Sequence, residues 1–161
     1  MRTKPLMEPS EYAKTLARKR VGAGALYLNE KEEILLVKPN YRDYWLIPGG
    51  SVDKDESPRV ACIREIKEET GLELKNPRLL CVRYRASQDD FGDGFLFVFE
   101  GGVLGVDTIK TIVLQDDELD GYKFVPLDEA LTLVGAGSVP ALSAAFKAYK
   151  EGTFEYVEFF T

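Results

Sequence analysis

Apolar and polar positions along the chain follow two different periods, and the changes between them mark its elements. "VGAGALYLN" (21–29) and "EEILLVKP" (32–39) are β-rich runs around a polar "EKE", which predicts a hairpin. "YWLIPGG" (44–50) reads as a short strand broken by Pro48 and two glycines. "PRLLCVRYRA" (77–86) and "GFLFVFEG" (94–101) read as strands, "TIVLQ" (111–115) and "GYKFVPL" (121–127) as weaker ones, and "FEYVEFF" (154–160) as an edge strand. Helical spacing is found in "SEYAKTLARK" (10–19), with Ser10 as a candidate N-cap, in "DEALTLV" (128–134) and in "VPALSAAFKAYKEG" (139–152). The best-marked helix has Ser57 as N-cap, Pro58 at the first helical position and Gly71 at the stop. Strands and helices mix without regular βαβ alternation, which predicts an α+β chain with a mixed sheet.

On that marked helix, "REIKEETG" (64–71) gathers Glu65, Glu68 and Glu69. With Val60 at zero, 100° per residue places Glu68, Glu65 and Glu69 at about 80°, 140° and 180°, and Ile66 and Ile63 at about 240° and 300°. This arithmetic predicts a carboxylate patch opposite the isoleucines, with Ala61 leaving room beside it. Like charges one turn apart repel by a few tenths of a kcal/mol per pair. A merely solvated face normally mixes signs. Clustered oxygen ligands suit a hard divalent cation, and Mg²⁺ is often held by one or two carboxylates together with substrate phosphates. Gly49 and Gly50 precede the helix through "SVDKDE", and glycines permit close backbone approach to a ligand.

Composition narrows the chemistry. The 161 residues are 45% hydrophobic and 30% charged, which fits one soluble globular domain spanning 1–161, with 1–19 as an N-terminal arm or helix. A net charge of −6 disfavours binding along a nucleic-acid backbone. Residues 1–20 nevertheless hold six Lys/Arg against two Glu, which reads as a solvated arm ahead of a basic binding patch. Cys62 and Cys81 have no metal-ligand spacing and are expected as buried thiols in a reducing compartment. No run of eighteen apolar residues and no signal-peptide core occur, so no membrane association and a cytoplasmic location are expected. Histidine is absent, which excludes serine-histidine triads and histidine-bearing zinc sites, and leaves acid-base work to carboxylates, lysine, tyrosine or backbone.

From Gly50 the chain reads G-SVDKD-E-SPRVACI-R-E-I-K-E-E-T-G-L. This resembles the Nudix box, G-x5-E-x7-R-E-U-x-E-E-x-G-U with U aliphatic, at Gly50, Glu56, Arg64, Glu65, Ile66, Glu68, Glu69, Gly71 and Leu72. The resemblance implies an α/β/α sandwich and Mg²⁺- or Mn²⁺-dependent hydrolysis of a nucleoside diphosphate linked to another moiety. It implies that Glu65, Glu68 and Glu69 hold metal with the Gly49 carbonyl, and that Gly50, Glu56 and Arg64 brace the site. Glu65 or Glu68 is the first candidate for general base and Glu118 the third, with Asp116 and Asp117 equally placed in "LQDDELDGYKF". Lys38, Arg42, Arg83 and Arg85 are candidate phosphate contacts. Trp45, Tyr41, Tyr44, Tyr84 and Phe91 are candidate base-stacking residues, although each also suits core or rim. The expected partner is a small nucleotide or nucleotide-sugar; homodimers occur in such a family. Diphosphate isomerases of the superfamily use histidine ligands and are disfavoured. A non-catalytic nucleotide sensor is the alternative, against which the intact box counts.

Overall fold

The computed structural model describes residues 7–86 and 92–160. In chain order the elements are α1 (Pro9–Thr15), β1 (Arg20–Asn29), β2 (Ile34–Pro39), β3 (Gly49–Ser51), α2 (Pro58–Thr70), β4 (Leu79–Arg85) and β5 (Gly94–Leu104). They are followed by α3 (Val106–Ile109), β6 (Leu119–Val125), α4 (Leu127–Leu133), a 3-10 turn (Ala136–Ser138), α5 (Val139–Glu151) and β7 (Glu155–Phe159). The sheet runs β6-β2-β1-β5-β4-β7, with β3 paired to β1. β1·β5 and β4·β7 are parallel and the other pairs antiparallel, so the sheet is mixed, as the missing βαβ alternation implies. No helix among the described residues is long and apolar enough to cross a membrane.

Central strand β1 explains the layering. Its period of two sends Ala23, Ala25 and Tyr27 to one face, where they pack with Ala61, Cys62 and Ile66 of α2. Leu26 and Leu28 face the other way and pack with Ala130 of α4 and Ala141, Leu142, Ala145 and Ala148 of α5. Helices on both faces of one sheet make the expected sandwich. Cys62 and Cys81 are buried free thiols, one in each core layer.

Helix α2 obeys its sequence punctuation. Ser57 Oγ accepts the Val60 N–H at 3.2 Å, Pro58 is the first helical residue, and Gly71 ends the helix at φ 72°. Ser57→Ala is expected to remove about 1 kcal/mol, lowering Tm by ~2–4 °C in a thermal melt, without loss of the site.

Four sequence expectations require correction. The strand placed at 44–50 is reduced to isolated pairings of Trp45 with Val134 and Leu46 with Val37, and the true strand begins at Gly49. Pro48 has no N–H to donate, which interrupts any ladder there. "TIVLQ" is not a strand: its Val113 and Gln115 N–H groups bond to the Thr70 and Glu69 carbonyls, so the segment closes the end of α2. Helix α1 stops at Thr15, and Ser10 is not its cap. Glu8 occupies that place because Pro9 starts the helix, and α1 buries no side chain that would extend it. Finally, Glu69 is 7% exposed and Val60 54%, so the buried stripe of α2 is Ala61, Cys62, Ile66, Glu69 and Thr70. Angular position fixes neighbours on the helix itself; it does not show that β1 and β3 approach from the Cys62–Glu69 side.

Candidate active site

Two adjoining glycines build the floor of an acidic cleft. Gly49 has φ +145°, and a Cβ there would lie 2.3 Å from the Ala23 carbonyl oxygen, so only glycine fits against β1. Its N–H donates to Glu69 Oε2 at 2.7 Å. A Cβ on Gly50 would lie 2.4 Å from Glu65 Cδ, so the absent side chain leaves space that the Glu65 carboxylate fills. Glu65, Glu68, Glu69, Glu118, Gln115 and Tyr41 line the cleft of about 360 Å³ in front of this floor.

Arg64 organises the rim. Its Nε and Nη2 donate to Glu56 Oε1 and Oε2 at 3.0 and 2.9 Å, and Nη2 also donates to the Ser51 carbonyl at 3.1 Å. Nη1 donates to Glu65 at 2.8 Å and Glu68 at 3.1 Å. One guanidinium thus joins β3, the following loop and α2, using the planar fork that lysine lacks. Hydrogen bonding from Arg64 holds the Glu56 carboxyl below its ordinary range, with the Asp53 N–H assisting.

The carboxylates of the cleft are displaced the other way. Burial pushes Glu69 up to about 8; the Gly49 N–H opposes this, and the charges of Glu65, Glu118 and Glu68 reinforce it. Burial also raises Glu65, against the pull of Arg64. Among the described residues no three ligating side chains are gathered into a ready cage, because Glu65 and Glu68 turn to Arg64 and Glu69 to the Gly49 N–H. An all-oxygen donor set whose charges are relieved only in part, by Arg64 and by the proton that burial favours on Glu69, still fits a hard divalent cation.

The other candidates separate spatially. Glu118 faces the three helix glutamates, whereas Asp116 and Asp117 do not line the cleft. Arg83 and Arg85 line a second cavity, beyond Ser51. Trp45 packs against the α4/α5 core with Lys123 Nζ 4.6 Å above its ring, and lines no described cavity. Arg42 stacks on Tyr41 and Tyr44, and Lys38 bonds to the Arg42 carbonyl, leaving both outside the cleft. Tyr84 donates to Asp93 at 2.7 Å. Phe91 lies outside the described residues. Tyr41, a candidate stacking residue, lines the cleft, whereas Gln115 is a cleft residue that no motif marks, its sequence signal being proximity to Glu118.

The family model of the NUDIX domain matches residues 18–144, which include β3, α2 and the Glu118 loop. The chain belongs to the Nudix family. Among curated Nudix relatives, the Bacillus subtilis (strain 168) protein named "Putative 8-oxo-dGTP diphosphatase" is 37% identical over 94 residues, 58% of this chain and 63% of that protein. Mouse "Diphosphoinositol polyphosphate phosphohydrolase 3-alpha" is 35% identical over 82 residues, 50% of this chain and 49% of that protein. The chain therefore spans about half to less than two thirds of the length of these relatives. The crystal structure of the MutT protein from Methanosarcina mazei Go1 superposes with a TM-score of 0.68 at 27% identity, covering 84% of this chain and 99% of that one. These matches agree with a Nudix sandwich built around the acidic cleft.

Proposed function

We propose that this Nudix domain is a divalent-cation-dependent pyrophosphohydrolase that cleaves a nucleoside diphosphate linked to another group, by attack of water on phosphorus. The observation that carries this reading is the convergence of Glu65, Glu68, Glu69 and Glu118 on one cleft floored by Gly49 and Gly50. The named diphosphatase and phosphohydrolase relatives support it. Glu65, Glu68, Glu69 and the Gly49 carbonyl would hold Mg²⁺ or Mn²⁺. When bound, the cation shields the diphosphate, polarises its phosphorus–oxygen bonds and lowers the pKa of water.

The protein's own groups have separable tasks. Arg64 holds Glu65 and Glu68 in place and spans the loop, which keeps the ligand oxygens at the floor. Glu65 and Glu68 are each tied to that arginine, whereas Glu118 approaches from a different element and has no arginine partner among the described residues. Glu118 is thus the favoured base: the proton of the attacking water moves to its carboxylate oxygen.

The test is a panel of sugar nucleotides, dinucleotides and nucleoside triphosphates assayed with Mg²⁺ and Mn²⁺. Release of a nucleoside monophosphate from at least one member is expected, and Glu118→Gln should lower kcat about 10²–10⁴-fold with little change in KM. Tight binding of one nucleotide with no turnover under either cation would support a ligand sensor instead.

A further inference from the structure

Strand β3 separates two cavities of opposite charge. On its far side lies a cavity of about 530 Å³ lined by Arg20, Lys54, Arg83 and Arg85, and by Lys19, which is paired with Asp93. Sheet register explains how such distant residues meet. Arg20 of β1 pairs with Gly94 of β5, which pairs with Arg85 of β4; two residues along, Gly22 pairs with Leu96, which pairs with Arg83. All these positions share one face, and glycines supply much of the floor. A side chain on Gly94 would begin 2.5 Å from the Arg20 carbonyl oxygen, so the floor between the arginines is open by steric necessity.

The acids that line the cavity, Asp53 and Glu56, are engaged by Arg64, with Oδ2 and Oε2 at 3.6 and 2.9 Å from its Nη2. Arg83 is half-buried. Its Nη1 donates to the Gly137 carbonyl, and its Nε is buried with no hydrogen-bond partner. Burial, and then the charge of Arg85, push its guanidinium below the ordinary arginine value. A buried, incompletely satisfied guanidinium among like charges is a costly arrangement that a phosphate oxygen relieves. Ser51 lines both the acidic cleft and this cavity, so the two adjoin at that residue.

We propose that the basic cavity is a subsite for a second phosphate group of the substrate, held but not cleaved, with Arg83 as its central ligand. The link to catalysis rests on the hydrolase reading; the anion binding itself does not. The preferred substrates are diphosphates that carry a further phosphate remote from the bond broken in the acidic cleft.

Isothermal titration of the protein in EDTA with inorganic tripolyphosphate tests the subsite without catalysis. Binding is expected, weakening with added salt. Arg83→Met should raise Kd at least about tenfold, with partial rescue by Arg83→Lys. Lys54→Met, at an exposed rim position that does not threaten folding, should raise it roughly threefold. Glu69→Gln should leave binding intact. For hydrolysis, Arg83→Met should raise KM for substrates bearing a remote phosphate and spare those without one. No binding in EDTA, or an unchanged Kd in both Arg83→Met and Lys54→Met, would overturn the subsite. Tripolyphosphate binding lost on Arg83→Met, with no turnover of any nucleotide, would sink the hydrolase reading and leave the subsite standing.

Discussion

Glu69→Gln is expected to lower cation-dependent hydrolysis by at least on the order of 10²-fold while making the metal-free protein more stable at pH 8. The two effects have one cause. Glu69 is buried beside Glu65, Glu68 and Glu118, and the folded chain binds its proton up to about pH 8 against 4.5 for an ordinary glutamate. Between those values the folded state holds more protons than the unfolded state. The stability associated with this proton is therefore fully present below about pH 4.5 and is lost as pH rises towards 8, at up to about 1.4 kcal/mol per pH unit. Glu65, also raised by burial, acts with the same sign. The lowered carboxyls of Glu56 and Asp93 act only in the acid range, below this window. The glutamine amide keeps an oxygen for the Gly49 N–H and removes the buried charge. Thermal melts from pH 5 to 8 in EDTA should show a declining Tm for the native chain and a flatter line for the variant. Adding Mg²⁺ at roughly 100 times its Kd should stabilise the native protein by ~2.7 kcal/mol, about 5–10 °C in Tm, and the variant much less. A flat native response to both pH and Mg²⁺ would remove the basis for placing a cation at Glu69.

The neighbouring glycines should fail in opposite ways. Gly49→Ala places a side chain at φ +145° and 2.3 Å from the Ala23 carbonyl oxygen, and backbone must move. A loss of about 3 kcal/mol, or ~6–12 °C in Tm, is expected. Gly50→Ala meets the end of the Glu65 side chain first, and that end can swing aside. Its Tm should change little, or rise slightly as the unfolded chain loses freedom. Turnover should fall about 10²-fold, because the Glu65 carboxylate is displaced from the floor of the cleft. Melts and kinetics on both variants decide the matter; equal loss of stability in the two would show that Gly50 has no separate role in the site.

The acidic helix was legible because its signals are local: Ser57, Pro58 and Gly71 mark the ends, and three glutamates lie within five positions. Legibility ended where neighbours come from elsewhere. The burial of Glu69 depends on β3 crossing beside it, which helical periodicity cannot reveal. Asp116, Asp117 and Glu118 are interchangeable in sequence, yet only Glu118 lines the cleft, because the hydrogen bonds of the loop set its direction. The alternation of Arg83 and Arg85 marked one strand face, but their meeting with Arg20 required the β4–β5–β1 register. "TIVLQ" has strand composition and makes backbone hydrogen bonds to a helix end instead. Composition reports that such a segment needs backbone partners; it does not name them.

Those last hydrogen bonds have a mechanical consequence. Gln115 N–H is held by the Glu69 carbonyl, and the Gln115 carbonyl in turn accepts the N–H groups of Glu118 and Leu119. The acidic loop is therefore a bracket bolted to the helix by its main chain, with Gln115 as the bolt. The gap between Glu118 and the helix glutamates is set by peptide geometry, so its width is indifferent to which side chains stand at 116 and 117. Lengthening this loop by one residue would alter the gap more than exchanging either aspartate.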